Sequence, residues 1–492
     1  MYYNEKYILN TKYKLNNDKN RALLISNTDN GTEFTFLHPV HAILLSFFTG
    51  DKTYNQVTLE MEKDLGIPRE TLDGVLTPFL ENAKPLNLKY DNVYFKIPVR
   101  VIVLNRKNQQ RYDLNKEDFL IKPPFDFSTI RLNIPRSILF VINTNCYTNC
   151  TYCYADRKTK YVPLSTERIL EIIDEAKQIG VNIFDISGGE FLFHKDWKII
   201  LKKMHGNGFY PFISTKVPIT QEIINDLLEL GTKKIQISLD SLDTQLQSRN
   251  LGCKASYIPQ LLESIRILNE KGIEIHIKST LTKETCTVSN ITPLLDYINS
   301  INSIKSFSFT AVGFSHYLPK EHFCDIKPSL KQLREVQHFI RMHKREGLMI
   351  DWDFRGVHYK DEYKNKSEFD KRSLCTGNLT SFVLLPDGKV TICEELYWDK
   401  HFIIGDLTNE SIMDTWNSPI AMSLSRLRQE IISSESACKL CSDFDACRNK
   451  LGVCWKNIIA YYGKDKWDFP DPTCPQSTLI NESIECLSYD EV

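Results

Sequence analysis

The chain has 492 residues and a mass of 57.1 kDa, which is long enough for about two to four domains with cores of their own. Hydrophobic residues make up 42% and charged residues 25%, as in ordinary globular proteins, which excludes a disordered or collagen-like chain. Because 61 Lys plus Arg nearly cancel 62 Asp plus Glu, the composition argues against a general electrostatic attraction to nucleic acid or to an anionic membrane.

The amino-terminal segment and the cysteine count indicate the compartment. Residues 1–15 lack the uninterrupted apolar stretch of a secretory signal, and we find no run of about 18 consecutive apolar residues. We therefore expect a cytoplasmic protein. The 14 cysteines are many for a reducing compartment, where disulfides are rare, so metal or cluster binding is the first role to consider.

Residues 1–100 are predicted to contain three short helices followed by a strand pair, which are the parts of a winged helix. In chain order we expect these elements at His38–Phe48, Tyr54–Leu65, Arg69–Asn82, Leu88–Tyr90 and Val93–Ile97, with the strand pair turning at Asp91 and Asn92. This region holds 12 Lys plus Arg and 12 Asp plus Glu. The positive surface that duplex DNA requires is therefore missing.

From about Ser137 the pattern changes to strand-length apolar runs that alternate with helical periods. Six strands are expected at Ile138–Ile142, Asn182–Ile186, Phe209–Ser214, Lys234–Leu239, Ile273–Ser279 and Phe307–Ala311. Such alternation predicts a parallel sheet, because parallel neighbours need crossover connections. Six units are fewer than the eight of a closed barrel, so the predicted α/β fold is a partial (β/α)6 TIM-like barrel with its site at the carboxyl ends of the strands.

Three cysteines follow the first predicted strand of this barrel. Cys146, Cys150 and Cys153 have the spacing C-x3-C-x2-C within the loop NTNCYTNCTYCYADR. Three thiolates can bind three irons of a 4Fe-4S cluster and leave the fourth iron open for another ligand. The alternative is structural zinc, which needs four ligands, and no obvious fourth Cys or His stands nearby. We therefore predict a cluster whose open iron is the reactive position.

A glycine-rich segment follows the second predicted strand. Gly188 and Gly189 would let the backbone approach a ligand closely, and the carboxylate of Glu190 could accept hydrogen bonds from an ammonium group. Gly-Gly-Glu alone usually marks a tight turn. One βα unit after the cysteine loop, it indicates a ligand site.

Together these motifs resemble the radical SAM superfamily, in which three cysteines of this spacing hold the catalytic cluster and an aromatic residue, here Tyr152, precedes the last of them. The resemblance implies that S-adenosylmethionine (SAM) chelates the open iron and that Gly188, Gly189 and Glu190 contact its amino group. The reduced cluster would pass an electron to SAM, whose cleavage yields methionine and a 5′-deoxyadenosyl radical. An external flavodoxin-like or ferredoxin-like protein would supply that electron.

The resemblance also implies SAM contacts at the ends of the third and fourth strands. Ser214, Lys216, Ser238 and Asp240 stand where related enzymes bind the ribose and the methionine carboxylate. The alternative for each is a residue that turns the chain or caps a helix. Phe191 departs from the family pattern, which often has proline after Gly-Gly-Glu.

The carboxyl-terminal cysteines resemble the SPASM extension of radical SAM enzymes, which carries two auxiliary 4Fe-4S clusters in many peptide-modifying members. They are Cys375, Cys393, Cys438, Cys441, Cys447, Cys454 and Cys474. The resemblance assigns Cys375, Cys393 and Cys454 to the first auxiliary cluster and the other four to the second. Six residues separate the last two cysteines of the central run, whereas the family usually has three. A zinc knuckle is the rival interpretation.

Only three thiolates fall to the first auxiliary cluster, because Ser381 stands where some relatives have a further cysteine. One hypothesis is that an open iron there binds a substrate thiolate. The alternatives are a fourth ligand from Cys486, water or a carboxylate. The cysteines outside the predicted ligand sets are Cys253, Cys286, Cys324 and Cys486, and they are assigned no role.

The segment from Leu37 to Gly50 and onward from Tyr54 resembles the leader-peptide recognition domain of maturases that act on ribosomally made, modified peptides. In that family the leader adds as a strand to the edge of the wing's sheet. The alternative is a packing domain without a ligand. The predicted domains are a winged-helix-like leader-recognition domain at 1–100, a linker at 101–135, a radical SAM barrel at 136–345, a bridge at 346–372 and a SPASM domain at 373–492.

The resemblance therefore implies an oxidoreductase that uses SAM and three 4Fe-4S clusters, one catalytic and two auxiliary, to modify a precursor peptide. The three-thiolate auxiliary site favours thioether crosslinks from cysteine. Carbon-carbon crosslinking, epimerisation and side-chain oxidation as in sulfatase maturation are alternatives. An iron-sensing winged-helix regulator is a further one, which the balanced charge and the six βα units disfavour. We expect neither a nucleic acid nor a membrane as partner.

Overall fold

A computed structural model describes residues 3–28, 31–90, 93–353, 363 and 365–477. The chain divides into two compact units, Met1–Ile134 and Pro135–Val492. Within the described ranges, no helix is both long enough and apolar enough to cross a membrane.

The first unit combines three small sheets with three helices. Its elements are β1 (Lys6–Leu9), β2 (Tyr13–Asn17), β3 (Ala22–Thr28), β4 (Gly31–Leu37), α1 (Pro39–Ser46), β5 (Thr49–Thr53), α2 (Tyr54–Leu65), α3 (Arg69–Leu76), β6 (Leu86–Tyr90), β7 (Val93–Ile97) and β8 (Ile102–Leu104). The strands pair in the orders β5-β1-β8, β2-β3-β4 and β6-β7. Apolar residues from all three helices and most strands form one buried core.

The helices of the first unit begin and end where local signals place them. Thr53 and Gln56 form a reciprocal capping box at the start of α2, and Gly66 ends that helix with a left-handed φ of 67°. Helix α3 stops at Leu76, short of the predicted Asn82, and a 3-10 turn at Thr77–Phe79 follows it. The three helices and the strand pair are present, whereas β1 to β5 were not predicted. Asp91 and Asn92 lie outside the described residues, and the winged helix stays a prediction.

The second unit alternates strands and helices before a more irregular end. Its strands are β9 (Ser137–Val141), β10 (Ile183–Ser187), β11 (Ser214–Thr215), β12 (Lys234–Ser238), β13 (Glu274–Leu281), β14 (Ile304–Ala311), β15 (Met349–Asp353), β16 (Ser381–Leu384), β17 (Lys389–Thr391) and β18 (Ile403–Asp406). Its helices are α4 (Thr166–Ile179), α5 (Trp197–Gly206), α6 (Gln221–Glu229), α7 (Thr244–Leu251), α8 (Tyr257–Glu270), α9 (Val288–Ser300), α10 (Lys320–Ile326), α11 (Leu330–His343), α12 (Lys366–Phe369), α13 (Ile412–Trp416), α14 (Pro419–Ser425) and α15 (Trp455–Tyr462).

Two five-stranded sheets organise this unit and confirm its α/β character. Strands β11 to β15 are parallel and adjacent in chain order. In the other sheet, β10, β9 and β16 run parallel, and β17 and β18 continue it as antiparallel strands. Strands are present at all six expected places, and two further parallel strands, β15 in the predicted bridge and β16 in the predicted SPASM domain, extend the two sheets. The partial barrel stays a prediction. The third strand is also shorter than predicted, since only Ser214 and Thr215 are extended in the ladder.

Strand β13 shows how the sheet separates a core face from a polar face. Ile275 and Ile277 are fully buried, and the hydrophobic core includes both. His276, Lys278 and Thr280 alternate with them and are only partly buried. Because successive side chains point to opposite faces, the parallel sheet has an apolar side that packs on helices and a polar side that can line a site.

Candidate active site

The first cysteine triplet lies in the loop that follows β9. Cys146, Cys150 and Cys153 are all partly buried free thiols. Burial raises the pKa of Cys146 to about 11, and the neighbouring thiols of Cys153 and Cys150 contribute to the rise. Burial also raises the pKa of Cys153, again with a contribution from Cys150. The structure therefore gathers the three predicted ligands in one place.

The two glycines of the Gly-Gly-Glu segment let it dock closely against the cysteine loop. The backbone N–H of Gly189 donates to the carbonyl of Asn143 at 2.7 Å, and that of Glu190 to the carbonyl of Asn145 at 2.6 Å. A Cβ on Gly188 would lie 2.4 Å from the Asn143 oxygen, and one on Gly189 would lie 2.1 Å from the Asn145 oxygen. Both glycines are thus needed for this docking, whatever ligand the loops hold.

The Glu190 carboxyl group is 3% exposed and lies against the end of β11. It accepts hydrogen bonds from Thr215 Oγ1 at 2.7 Å and from the backbone N–H groups of Leu192 and Lys216 at 3.3 and 3.4 Å. Burial raises the pKa of Glu190 to about 7, and these hydrogen bonds oppose the rise. Thr215 was not among the predicted residues, although it stands between two that were.

Tyr152, Lys216 and Asp240 form a polar network beside Cys150. The Tyr152 hydroxyl donates to Asp240 Oδ2, and Lys216 Nζ lies 2.7 Å from that hydroxyl and 3.7 Å from Cys150 Sγ. The backbone N–H of Thr280 donates to Asp240 Oδ1 at 2.8 Å. Burial opposes the charge on Lys216, but Asp240 and the cysteine thiols outweigh it and raise its pKa. A partly buried cation therefore stands at the cysteine triplet.

Ser214 and Ser238 lie on the polar side of the sheet but outside this network. Ser214 pairs in register with Gln236, whose side chain donates to Ser214 Oγ at 2.6 Å. Ser238 lies two residues further along the same strand and therefore on the same face as Gln236. Arg249, in the nearby helix α7, has a side chain that is 60% exposed, and its Nη2 lies 3.9 Å from Glu284 Oε1.

The three cysteines predicted for the first auxiliary cluster also come together. Burial raises the pKa of Cys393 well above its usual value, with contributions from Glu395, Cys454 and Cys375. Burial raises the pKa of Cys454 to about 12, with Cys375 as the next cause. Cys375 precedes β16, Cys393 follows β17 and Cys454 precedes α15, so elements far apart in the chain supply the three thiols.

The four cysteines predicted for the second auxiliary cluster line a single cavity. They are Cys438, Cys441, Cys447 and Cys474. Arg448, on the same cavity wall, is 6% exposed, and its Nε and Nη1 atoms are buried with no hydrogen-bond partner in the described parts of the chain. Four thiols and buried N–H donors without acceptors fit a sulfide-containing cluster, which supplies acceptors.

No group of three or more His, Cys, Asp or Glu side chains in the described ranges is arranged around a single metal ion. The ligands of a four-iron cluster lie further apart than those of one ion, because each cysteine binds a different iron. The sequence-based cluster assignments stay predictions at the level of individual residues.

Comparison with protein-family models places two domains on this geometry. The model of the Radical SAM superfamily matches residues 140–285, and that of the SPASM iron-sulfur cluster-binding domain matches residues 375–443. This chain is a radical SAM/SPASM enzyme. The resemblance inferred from the cysteine motifs is thereby confirmed, and it brings SAM and iron-sulfur clusters as cofactors.

Known proteins of similar sequence align with half or more of this radical SAM/SPASM enzyme. A probable GTP 3',8-cyclase of Methanococcus maripaludis is 26% identical over 270 residues, which are 52% of this chain and 84% of the relative. The PqqA peptide cyclase of Granulibacter bethesdensis is 23% identical over 360 residues, which are 72% of this chain and 91% of the relative.

Solved structures of Streptococcus suis SuiB share the fold of this radical SAM/SPASM enzyme. SuiB bound to S-adenosylmethionine has a TM-score of 0.61 at 18% identity and covers 95% of this chain and 100% of its own. SuiB bound to precursor peptide SuiA has a TM-score of 0.61 at 17% identity, with the same coverage. At this identity the likeness shows the fold alone.

Proposed function

We propose that this radical SAM/SPASM enzyme forms crosslinks in a ribosomally made precursor peptide. The observation that carries the proposal is the convergence of Cys146, Cys150 and Cys153 with the partly buried Lys216 and the buried Asp240. The name of the PqqA peptide cyclase and the complex of SuiB with its precursor peptide support a peptide as the substrate. SAM bound at a cluster supplies a 5′-deoxyadenosyl radical by reductive cleavage.

The residues around the triplet have separate tasks in this proposal. The three cysteines bind the cluster and leave one iron for SAM. Glu190, as a carboxylate, accepts from the SAM amino group, while Lys216 places a positive charge near the methionine carboxylate. The docked Gly188 and Gly189 backbone excludes water from one side of the site. Asp240, which follows β12, accepts a hydrogen bond from Tyr152 and so holds the cysteine loop, in which Tyr152 lies, near the end of that strand.

The polar side of the sheet offers a surface for a peptide. His276 pairs in register with Ser306, Lys278 with Ser308 and Thr280 with Thr310. The first pair is hydrogen-bonded, because His276 Nδ1 and Ser306 Oγ lie 2.6 Å apart. Such a row of donors and acceptors can hold backbone and side-chain groups of an extended substrate, which would position one hydrogen atom for abstraction.

We propose a thioether as the linkage. Cys375, Cys393 and Cys454 supply three thiols, and Ser381 does not provide a fourth. A cluster with three protein thiolates keeps one iron open, and the thiolate of a substrate cysteine can bind it. The bound sulfur would then be held ready to combine with a substrate carbon radical, and the electron released by that bond formation would pass to the auxiliary clusters.

We propose that the first unit binds the leader of the precursor peptide. Its small sheets end in edge strands, and strands β6 and β7 form a two-stranded ribbon. Strand β4 lies beside β7, where Thr35 Oγ1 donates to the Lys96 carbonyl at 2.9 Å, so β6 is the edge of this ribbon without a strand partner among the described residues. A leader segment can add to such an edge through backbone hydrogen bonds, while side-chain pockets give specificity. The balanced charge of residues 1–100 agrees with a peptide partner better than with DNA.

The test is co-expression with a short cysteine-containing peptide encoded beside the enzyme, followed by mass spectrometry. Each crosslink should remove two hydrogens from the peptide mass, and alkylation should show one free thiol lost per linkage. An unchanged mass would point to epimerisation, and a two-hydrogen loss with all thiols free would point to carbon-carbon crosslinking. Deletion of residues 1–134 should weaken leader binding but spare peptide-independent SAM cleavage, whereas unchanged affinity would refute leader recognition.

A further inference from the structure

Two buried arginines contact the cysteines of the second auxiliary site. Arg372 Nη2 donates to Cys447 Sγ at 3.2 Å, and Arg448 Nη2 donates to Cys438 Sγ at 3.4 Å. The Arg372 side chain is 8% exposed and Arg448 is 6% exposed. Both guanidinium groups therefore lie out of water and against atoms that would ligate iron.

Backbone carbonyls hold both guanidinium groups in place. Arg372 Nη2 also donates to the Gly452 carbonyl at 2.6 Å and Nη1 to the Phe369 carbonyl at 3.1 Å. Arg448 Nη2 donates to the carbonyl of Asp468 at 3.0 Å. Neutral carbonyls do not cancel a cation's charge. A carboxylate also pairs with Arg372, since Asp370 Oδ1 lies 3.8 Å from Nη1, but Asp370 is partly exposed and is bound to Lys366 as well. The positive charge of the two arginines is therefore only partly offset at the cysteine site.

Some of the arginine donors have no acceptor in the described parts of the chain. They are Arg372 Nε, Arg448 Nε and Arg448 Nη1, all of which are buried. Buried N–H groups are almost always paired in folded proteins. The sulfides of a cluster in this cavity would supply hydrogen-bond acceptors for these buried arginine N–H groups.

The two auxiliary sites differ in the cations that contact them. At the second site the guanidinium groups of Arg372 and Arg448 donate directly to cysteine sulfurs, and the nearby carboxylates are those of Asp370, Asp443 and Asp471. At the first site the cation beside the thiols is Lys456, whose ammonium group is paired with the Glu395 carboxylate. Among the described residues, charged N–H donors therefore contact sulfur at the second site, whereas a carboxylate engages the cation at the first.

We propose that Arg372 and Arg448 make the second auxiliary cluster more easily reduced than the first. The second cluster is then the acceptor for the electron released when the substrate radical forms the crosslink. This inference rests on the proposed cluster ligands. A reduced cluster carries one more negative charge than the oxidised one, so nearby cations and N–H···S hydrogen bonds stabilise the reduced state. The electron passes from substrate to cluster, and the proton lost by the substrate goes to solvent.

The experiment is a redox titration followed by electron paramagnetic resonance. Replacing Cys146, Cys150 and Cys153 with alanine in all samples removes the signal of the SAM-binding cluster. The signal that disappears in a further Cys438→Ala, Cys441→Ala variant belongs to the second auxiliary cluster. The variants compared are Arg372→Gln, Arg372→Lys, Arg448→Gln and the control Arg345→Gln. Arg345 is a matched control because its guanidinium also donates to a carbonyl, that of Ile304, and has a buried unpaired Nε.

At a fixed potential, Arg372→Gln and Arg448→Gln should each lower the ratio of reduced to oxidised second cluster about tenfold, which is ~59 mV for a one-electron couple. Arg372→Lys should keep most of the ratio because it keeps the charge, and Arg345→Gln should not change it. Equal ratios in all variants, or a change confined to the first cluster, would overturn the inference while leaving peptide modification intact. If Arg448→Gln takes up no iron, the two Arg372 variants decide. A parent protein without auxiliary iron would refute the cluster assignment itself, and the inference with it.

Discussion

The hydroxyl group of Tyr154 donates a 3.3 Å hydrogen bond to Oε2 of Glu394. Tyr154 follows Cys153 directly, and Glu394 follows Cys393 directly. The bond therefore joins the loop of the first cysteine triplet to the hairpin that carries a proposed auxiliary ligand. Burial raises the pKa of Tyr154, and the Glu394 carboxylate raises it further, so the hydroxyl stays protonated as a donor.

Replacing Tyr154 with phenylalanine should uncouple the two sites. The ring would still pack near Tyr397, but Glu394 would lose a donor, at a cost of about 1 kcal/mol in the free energy of unfolding. We expect several-fold more 5′-deoxyadenosine per modified peptide, measured by liquid chromatography and mass spectrometry. Tyr147→Phe is the control, because Tyr147 lies in the same loop and is 46% exposed. An unchanged product ratio in Tyr154→Phe would argue against coupling.

The first triplet should be separable from the auxiliary sites. Changing Cys146, Cys150 and Cys153 together to alanine should abolish SAM cleavage and remove about four irons per chain, while the remaining iron stays bound. Cys286→Ala is the control, since Cys286 is a fully buried free thiol outside every predicted ligand set. Iron and sulfide analysis together with a 5′-deoxyadenosine assay checks both effects. Retained cleavage in the triple variant would contradict the assignment.

The role of the open iron can be tested at Ser381. This residue lies at the start of β16, and its hydroxyl donates to the Thr376 carbonyl at 3.2 Å, in the turn that follows Cys375. Ser381→Cys should supply a fourth thiolate to the first auxiliary cluster and lower thioether formation at least tenfold, with iron content unchanged. Ser381→Ala should leave thioether formation near the level of the unmodified enzyme. Equal product from both variants would count against substrate thiolate binding.

The sequence could predict features whose signal is local. The C-x3-C-x2-C spacing points to the first group of thiols because ligand residues carry their own chemistry, whereas the resemblance to the SPASM extension implied the two auxiliary groups. The structure brings the members of each group near one another. The Pro386-Asp387-Gly388 turn likewise predicts the hairpin of β16 and β17. Helix α4 follows its cap Ser165, whose side chain accepts from the Arg168 N–H, and ends before Gly180 with a left-handed φ of 89°, and both residues are local start and stop signals.

Features that depend on distant contacts could not be predicted. The segment before Ser214 reads as a strand, but the Phe212 N–H donates to the side chain of Asp185 at 2.9 Å. Lys216 reaches Cys150 across 66 positions of the chain, and no local pattern shows that approach. Strand β15 was also not predicted: it has only five residues and lies in the segment assigned to the bridge, although Ile350 and Trp352 alternate with two aspartates as in a strand.

The buried Glu190 should give the iron-free protein a specific pH dependence. Its pKa of about 7 in the folded chain lies above the ordinary value of 4.5, so the folded state binds this proton more tightly than the unfolded state. This contribution to stability is complete below pH 4.5 and is lost as the pH rises through 7. The loss lowers the free energy of unfolding by roughly 3 kcal/mol.

Glu190→Gln removes this titration, so its unfolding free energy should fall less than that of the unmodified chain between pH 4.5 and 7. Urea unfolding at several pH values, followed by tryptophan fluorescence, measures the difference. Glu229→Gln is the control, because Glu229 is an exposed residue at the end of α6. If the Glu190→Gln and Glu229→Gln curves have the same slope, Glu190 ionises in the folded chain as it does in water.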